Sequence, residues 1–422
     1  MVKAARATAS RLLICLAYRD YRAMWMATMA AGASTWALIV ARGTLVFTMS
    51  GSSTMVGVVT FAAMGPDFIV PLFAGFLADL FDRRKLLAWI FGIQLFQTLA
   101  LAGLALTGTI QIWHIVVLSV INGVGRAALT PTADSLVPNL VPRDKLLNAV
   151  ALNVATHHAS RLVGPLLIAP VLATIGISWA FAMCAGLYAV GLVMVVRVRT
   201  ISTGVIERDK GILRNVLAGA EYIYHHRLLL SVLILVVLHC SLTMAFESML
   251  PVLSREKLGT GEAGFAYIMM AVGAGGLLVV SILASIQNER MRWRLYLWLG
   301  VLSGIGPIAL AASALLPMAF LSAAVMGGAQ AGFMTLTVVL VQSIVPDSIR
   351  GRASSIYSVH IGGMMAVFNL VNGTMADVFN APLVLTVGGL IFVIVMAISW
   401  LRAPLRALYV SGPRAETQSQ AS

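Results

Sequence analysis

What this chain lacks most is charge. Asp, Glu, Lys and Arg supply 11% of its 422 residues, against about a quarter in an ordinary soluble domain. So few ionic groups cannot keep a chain that is 59% hydrophobic, with a mean hydropathy of +0.92, dissolved in water, and lipid is its natural solvent. Cysteine is scarce too. Cys15, Cys184 and Cys240 are far apart, which excludes a disulfide framework and a cysteine-rich zinc site, so no metal is expected. No Gly-Lys-Ser/Thr phosphate loop is present, which argues against ATP drive within the chain. No His/Asp cluster or activated Ser or Cys occurs at a catalytic spacing, so no enzyme is expected. The net charge of +13 is not gathered on one soluble basic face, as nucleic-acid binding needs.

What is present is a series of apolar runs of about 20 residues, the length of a spanning helix. Outer-membrane strands would alternate over about ten residues instead. The pattern predicts an all-α integral membrane protein with spans near 23–47, 54–78, 86–107, 112–133, 148–174 and 178–197, then near 228–250, 262–285, 294–315, 317–342, 353–376 and 382–401. The polar stretch 198–227 divides them into bundles at 1–197 and 228–402, followed by a tail at 403–422. Within 198–227, Ile212, Val216, Leu217, Ala220 and Ile223 alternate with Arg214 and Glu221, as in an amphipathic helix lying on the membrane surface. With both termini in the cytoplasm, external loops hold only Arg255 and Lys257, and spans hold Arg42, Arg126 and Arg161. The rest of the 29 Lys and Arg then lie on the cytoplasmic side, as the positive-inside rule requires.

Four segments carry a family resemblance. The first is Gly75-Phe76-Leu77-Ala78-Asp79-Leu80-Phe81-Asp82-Arg83-Arg84-Lys85, between the second and third expected spans. The others are Leu136–Pro142, Ser160-Arg161-Leu162-Val163-Gly164-Pro165, and Val345-Pro346 followed by Arg350-Gly351-Arg352. Together they resemble the major facilitator superfamily, in particular its enterobactin-exporter and macrolide-efflux branch. Leu80 and Asp82 depart from the usual loop pattern, which has a basic residue and a glycine there. The resemblance implies twelve transmembrane helices in two pseudo-symmetric six-helix bundles that rock about a central cavity. It also implies a bacterial inner-membrane location, a monomer, and a small-molecule substrate moved without a cofactor by the proton gradient. The expected activity is export of a siderophore-like metabolite or amphipathic drug. An importer or lysophospholipid-type flippase of the same fold, and a transport-inactive membrane receptor, are the alternatives. Gly75, Asp79, Arg83 and Arg84 are the expected gating loop. Arg161, Gly164, Pro165, Arg350 and Arg352 are expected in helix packing or gating.

Ionisable residues inside spans cost about 2.5–3.5 kcal/mol on insertion scales, so each needs a reason. Arg42, Asp67, Arg126, His157 and Glu247 are candidates for coupling or for the substrate cavity; His158, His239 and His360 are weaker ones. Arg42 and Asp67 lie at comparable depth, which allows them to pair. Arg126 follows Gly123-Val124-Gly125, where small residues permit close helix approach. His157 and His158 point about 100° apart on a helix, so at most one faces the cavity.

Overall fold

The computed structural model describes residues 14–71, 73–74, 80–201, 220–286, 288–346 and 350–412. Among these, the regular structure is entirely helical. In chain order the main helices are α1 (Arg19–Ser50), α2 (Ser53–Met64), α3 (Arg83–Leu106), α4 (Ile112–Leu136), α5 (Leu146–Thr174) and α6 (Ile177–Val196). After the polar stretch come α7 (Arg227–His239), α8 (Gly264–Ser285), α9 (Glu289–Ala312), α10 (Leu316–Ile344), α11 (Arg350–Phe379), α12 (Ala381–Leu401) and α13 (Ala403–Ser411). Among the described residues, nine helices are long and apolar enough to cross a membrane. The remaining expected spans coincide with α2, which has 12 residues before a 3-10 turn at Gly65–Phe68, and with α5 and α11, which carry the histidines, asparagines and charges of the site.

Local chemistry sets the helix ends. Ser52 caps α2 by accepting from the Met55 N–H at 3.3 Å. Asn288 caps α9 and Asn380 caps α12 in the same way, as short polar side chains do at helix starts. Asp82, at the position where the family pattern has glycine, caps α3 by accepting from the Arg84 N–H at 3.0 Å. Gly51, with φ of 64°, closes α1 in the left-handed region that glycine enters freely and lets α2 turn straight back.

Packing then forms two groups of helices. In the first, α1 lies on α5 and α6, and α3 on α4 and α6; in the second, α10 lies on α8 and α9, and α12 on α9. The groups meet where α2 packs on α11 and α5 on α8. Glycines let these backbones approach. A Cβ at Gly57 would stand 2.9 Å from the Leu370 Cα, and one at Gly273 would stand 2.6 Å from the Leu162 nitrogen. In the expected tail, α13 docks by burying Leu405, Leu408 and Tyr409, and the Tyr409 hydroxyl meets Ser399 Oγ at 2.8 Å. The expected amphipathic helix falls largely outside the described residues, although 220–225 are helical.

Candidate functional site

A cavity of about 190 Å³ opens among α1, α2, α4 and α5, with Gln94 of α3 and Tyr188 of α6 reaching its wall. It runs from the level of Arg42 and Val59 towards Asp134 and Asn153, the direction that the charge bias assigns to the cytoplasm. Arg42, Arg126, Asp134 and His157 supply its ionisable lining, and Trp36 and Tyr188 its aromatic faces. His158 is not part of the lining, in keeping with the offset of about 100° between adjacent positions on a helix.

Arg42 is 2% exposed. It donates to Leu38 O at 3.2 Å, Ser119 Oγ at 3.0 Å and Asn122 Oδ1 at 3.1 Å. Asn122 is oriented in turn, since its amide donates to Gln94 Oε1 at 3.0 Å while Gln94 donates back to the Asn122 carbonyl at 3.0 Å. Every acceptor of Arg42 described here is neutral. The guanidinium is therefore hydrogen-bonded while its charge lacks an ionic partner among the described residues.

The allowed pairing of Arg42 with Asp67 is not the one found. Asp67 instead accepts from Arg126 Nη2 at 2.5 Å. A close helix approach produces this pair. Gly123 lies against the end of α2, where a Cβ would stand 2.9 Å from the Pro66 ring and would collide with the Ala63 carbonyl. The switch to 3-10 geometry at Gly65–Phe68 leaves backbone carbonyls for side chains to satisfy, and Arg126 also donates to Ala63 O at 3.3 Å. Asp67 and Arg126 stand equally far along α2 and α4 from Ser53 and Ile112, an equality that identifies the pair by counting residues from one membrane face.

The other expected residues distribute as follows. The Arg161 guanidinium lies 4.7 Å over the Trp36 ring, and its Nε and Nη2 are buried with no hydrogen-bond partner among the described residues. Gly164 seats α5 on α1, a Cβ there standing 2.9 Å from Trp36 Cβ, and Pro165 follows inside the helix. Arg83 ties the start of α3 to the end of α4 through Ser135 O at 2.8 Å, and Arg84 reaches Val198 O at 3.2 Å. Gly75 and Asp79 lie outside the described residues, and Arg350 and Arg352 fall in the first turn of α11.

Glu247 is not in the cavity wall. It is 1% exposed in a break of the seventh expected span, where α7 continues as a π-helical stretch Cys240–Met244 and helix resumes only at Leu250. Side chains from neighbouring helices satisfy the broken backbone. Asn372 donates to Ala245 O at 2.8 Å, Gln330 donates to Thr243 O at 2.7 Å, and Asn369 accepts from the Ser248 N–H at 3.1 Å.

Two residues of consequence escaped the sequence reading. Asp134 lines the cavity; the expected fourth span stops just before it, whereas α4 runs on to Leu136. Asp377, near the end of α11, accepts from the Ser53 N–H at 2.7 Å and the Thr54 N–H at 2.9 Å, and from the Ser52 and Thr54 hydroxyls at 2.5 and 2.6 Å. It thereby fastens α11 to the start of α2.

Comparison with known proteins follows the same lines. The family model described as transmembrane secretion effector matches residues 12–417. The staphyloferrin A transporter of Staphylococcus aureus is 22% identical over 336 residues, covering 79% of this chain and 84% of that protein. The enterobactin exporter EntS of Escherichia coli K12 is 22% identical over 399 residues, covering 90% and 93%. Macrolide efflux protein A of Enterococcus faecalis is 22% identical over 248 residues, 57% of this chain and 73% of that protein. Among solved structures, the nucleoside transporter NupG (a D323A mutant) superposes with a TM-score of 0.73 at 11% identity, over 90% of this chain and 99% of that one. A POT family transporter in complex with 5-aminolevulinic acid superposes with a TM-score of 0.71 at 12% identity, over 92% and 96%. These two likenesses establish the fold.

Proposed function

Because the chain belongs to the transmembrane secretion effector family of the major facilitator superfamily, we propose that it is a proton-driven exporter of acidic, amphipathic small molecules of the siderophore kind, working by alternating access. Residues 1–197 and 228–402 are the rocking bundles, joined by 198–227, with both termini in the cytoplasm of a bacterial inner membrane. Gly75, Asp79, Arg83 and Arg84 form the cytoplasmic gate. The protein works as a monomer and needs no cofactor.

The observation that carries this reading is Arg42, a buried cation in the cavity wall whose hydrogen-bond partners among the described residues are all neutral. Such a charge favours an anionic guest, because opposite charges attract far more strongly away from bulk water. Arg126 adds a second guanidinium, although Asp67 offsets it. Trp36 and Tyr188 offer flat faces to a guest with aromatic or extended apolar parts. The staphyloferrin A transporter and the enterobactin exporter, by name, support a siderophore-like cargo, and macrolide efflux protein A supports outward movement of an amphipathic molecule.

The test uses inside-out membrane vesicles carrying the protein, an imposed pH gradient, and a panel of catecholate and hydroxycarboxylate chelators beside a macrolide. Uptake of an acidic chelator that collapses when the gradient is dissipated is the expected result. Uptake of the macrolide alone overturns the anionic cargo. Scrambling of a fluorescent lysophospholipid without chelator transport turns the assignment to a flippase.

A further inference from the structure

The break in the seventh span gathers buried oxygens that have no hydrogen-bond partner among the described residues. Asn369 fixes the arrangement: its amide oxygen takes the Ser248 N–H, so its NH₂ group donates, to Glu247 Oε2 at 3.0 Å and to Met365 O at 3.0 Å. Glu247 Oε1 then has no hydrogen-bond partner among the described residues, and neither do the buried Ser248 Oγ and Ser53 Oγ. Ser248 and Ser53 approach one another across Gly373 of α11. A Cβ on Gly373 would stand 3.3 Å from Ser248 Cβ and would collide with the Ser53 carbonyl. This junction of α2, α11 and the broken seventh span is the seam that has to part when the transporter opens outward, and Asp377 pins it at its end.

An ionised carboxylate fits this place poorly, because it would be dry and would have one oxygen with nothing to accept from. A carboxylic acid fits it better, because it carries no charge into the buried site while its Oε2 still accepts from Asn369. We propose that Glu247 is a proton-binding site built into the α2–α11 seam, loaded from external water when the seam is parted and enclosed when it closes. An O–H bond forms at Oε1 with a proton taken from hydronium, leaving water outside. Loss of that proton charges the carboxylate and drives the seam apart.

Among the described residues, the charged and titratable groups near Glu247 are few. From α5, the Arg161 charge acts on it; in its own segment, its charge is felt by the Cys240 thiol. On α11 it meets the neutral Asn369, with Asp377 nearer the helix end. From α2, Ser53 comes up to the neighbouring Ser248 across Gly373. Arg255 lies beyond the break, against Thr48 of α1. Arg161, with Nε and Nη2 unpartnered and its ring contact to the cavity residue Trp36, is the path by which a charge on Glu247 is felt in the cavity. The inference rests on the proton-driven reading but not on any particular cargo.

The test is the distance between spin labels at Thr109→Cys and Leu315→Cys, on exposed loops of the two helix groups, in full-length protein in nanodiscs. Cys15, Cys184 and Cys240 are replaced by alanine, and pH is varied without substrate. The expected result is a short distance at low pH that gives way to a longer one as pH rises, with Glu247→Gln held at the short distance throughout. A Glu247→Gln protein that shifts with pH as the parent does overturns the proposal, as does a parent that does not shift. A second variant keeps the carboxyl group: Asn369→Ala removes the donor to Glu247 Oε2, which holds the charged form better than the acid, and moves the midpoint about one unit towards alkali, a tenfold tighter hold on the proton. An unmoved midpoint contradicts it. Exchanging sodium for choline at fixed pH leaves the distance unchanged, and sodium dependence would assign the site to that ion instead. Because no cargo is present, a failed export assignment leaves this result standing.

Discussion

The carboxylate of Asp377 accepts the Ser53 N–H at 2.7 Å and the Thr54 N–H at 2.9 Å, so a residue near the end of α11 caps a helix of the other group. A helix start leaves backbone N–H groups unpaired, and a carboxylate placed there also meets the positive end of the helix dipole. The contact holds two helices together that the proposed alternating access has to separate.

Removing that cap loosens the seam. Asp377→Ala is expected to cost the closed form about 1–2 kcal/mol, the usual worth of a helix cap. Labelling of a Val56→Cys reporter, buried on α2, by an impermeant maleimide from outside then accelerates about tenfold, since each 1.4 kcal/mol is a factor of ten. An unchanged labelling rate means that Asp377 does not hold the seam.

Asp67 and Arg126 behave as a couple. Each single alanine strands a charge in the membrane, which is strongly destabilising, so both singles are expected to lower expression. Asp67→Ala with Arg126→Ala restores it, whereas Asp67→Ala with Arg42→Ala does not. Fluorescence-detected size exclusion of the four variants reads the coupling. Equal recovery in both doubles contradicts the pair.

Arg42 makes the opposite prediction. Since it forms no salt bridge among the described residues, Arg42→Met leaves no carboxylate unpaired. The fold is expected to survive while binding of a catechol carboxylate weakens by about tenfold or more, as the loss of a hydrogen bond to a charged group implies. Trp36 fluorescence quenching measures it, and unchanged affinity removes Arg42 from the binding wall.

Gly123 is predicted to tolerate no side chain. A Cβ there meets the Ala63 carbonyl and the Pro66 ring, so Gly123→Ala forces α4 off α2 at a cost of about 1–3 kcal/mol. The thermal midpoint in detergent falls, and the Asp67–Arg126 pair loosens with it. A midpoint equal to the parent's contradicts the packing argument.

Helices and their glycine contacts were legible in the sequence because each depends on a local pattern: an apolar run, a capping residue, a small residue between bulky ones. Gly164-Pro165 and Gly123-Val124-Gly125 lie at close approaches for that reason. The break at Cys240–Met249 was not legible, since the stretch contains neither glycine nor proline. Its freed backbone groups are satisfied by Gln330, Asn369 and Asn372 from other helices, a tertiary cause that no local signal announces. Depth counted from the helix starts puts Arg126 rather than Arg42 level with Asp67, a match that a coarser comparison of depths missed, while the face each helix turns to its neighbour is set by packing and was not legible. Asp134 and Asp377 were passed over because a charge at the end of an apolar run reads as loop, although α4 and α11 carry both within the helix.

The central claim is that this chain moves acidic small molecules outward, and the most direct measurement compares metabolite pools inside and outside efflux-deficient cells by mass spectrometry. The cells carry the parent protein, Arg42→Met or no transporter. The account predicts an acidic, metal-chelating compound that accumulates in the medium with the parent protein and stays inside the cells in the other two strains. The same compound gathered inside the cells by the parent protein would contradict it and make the chain an importer.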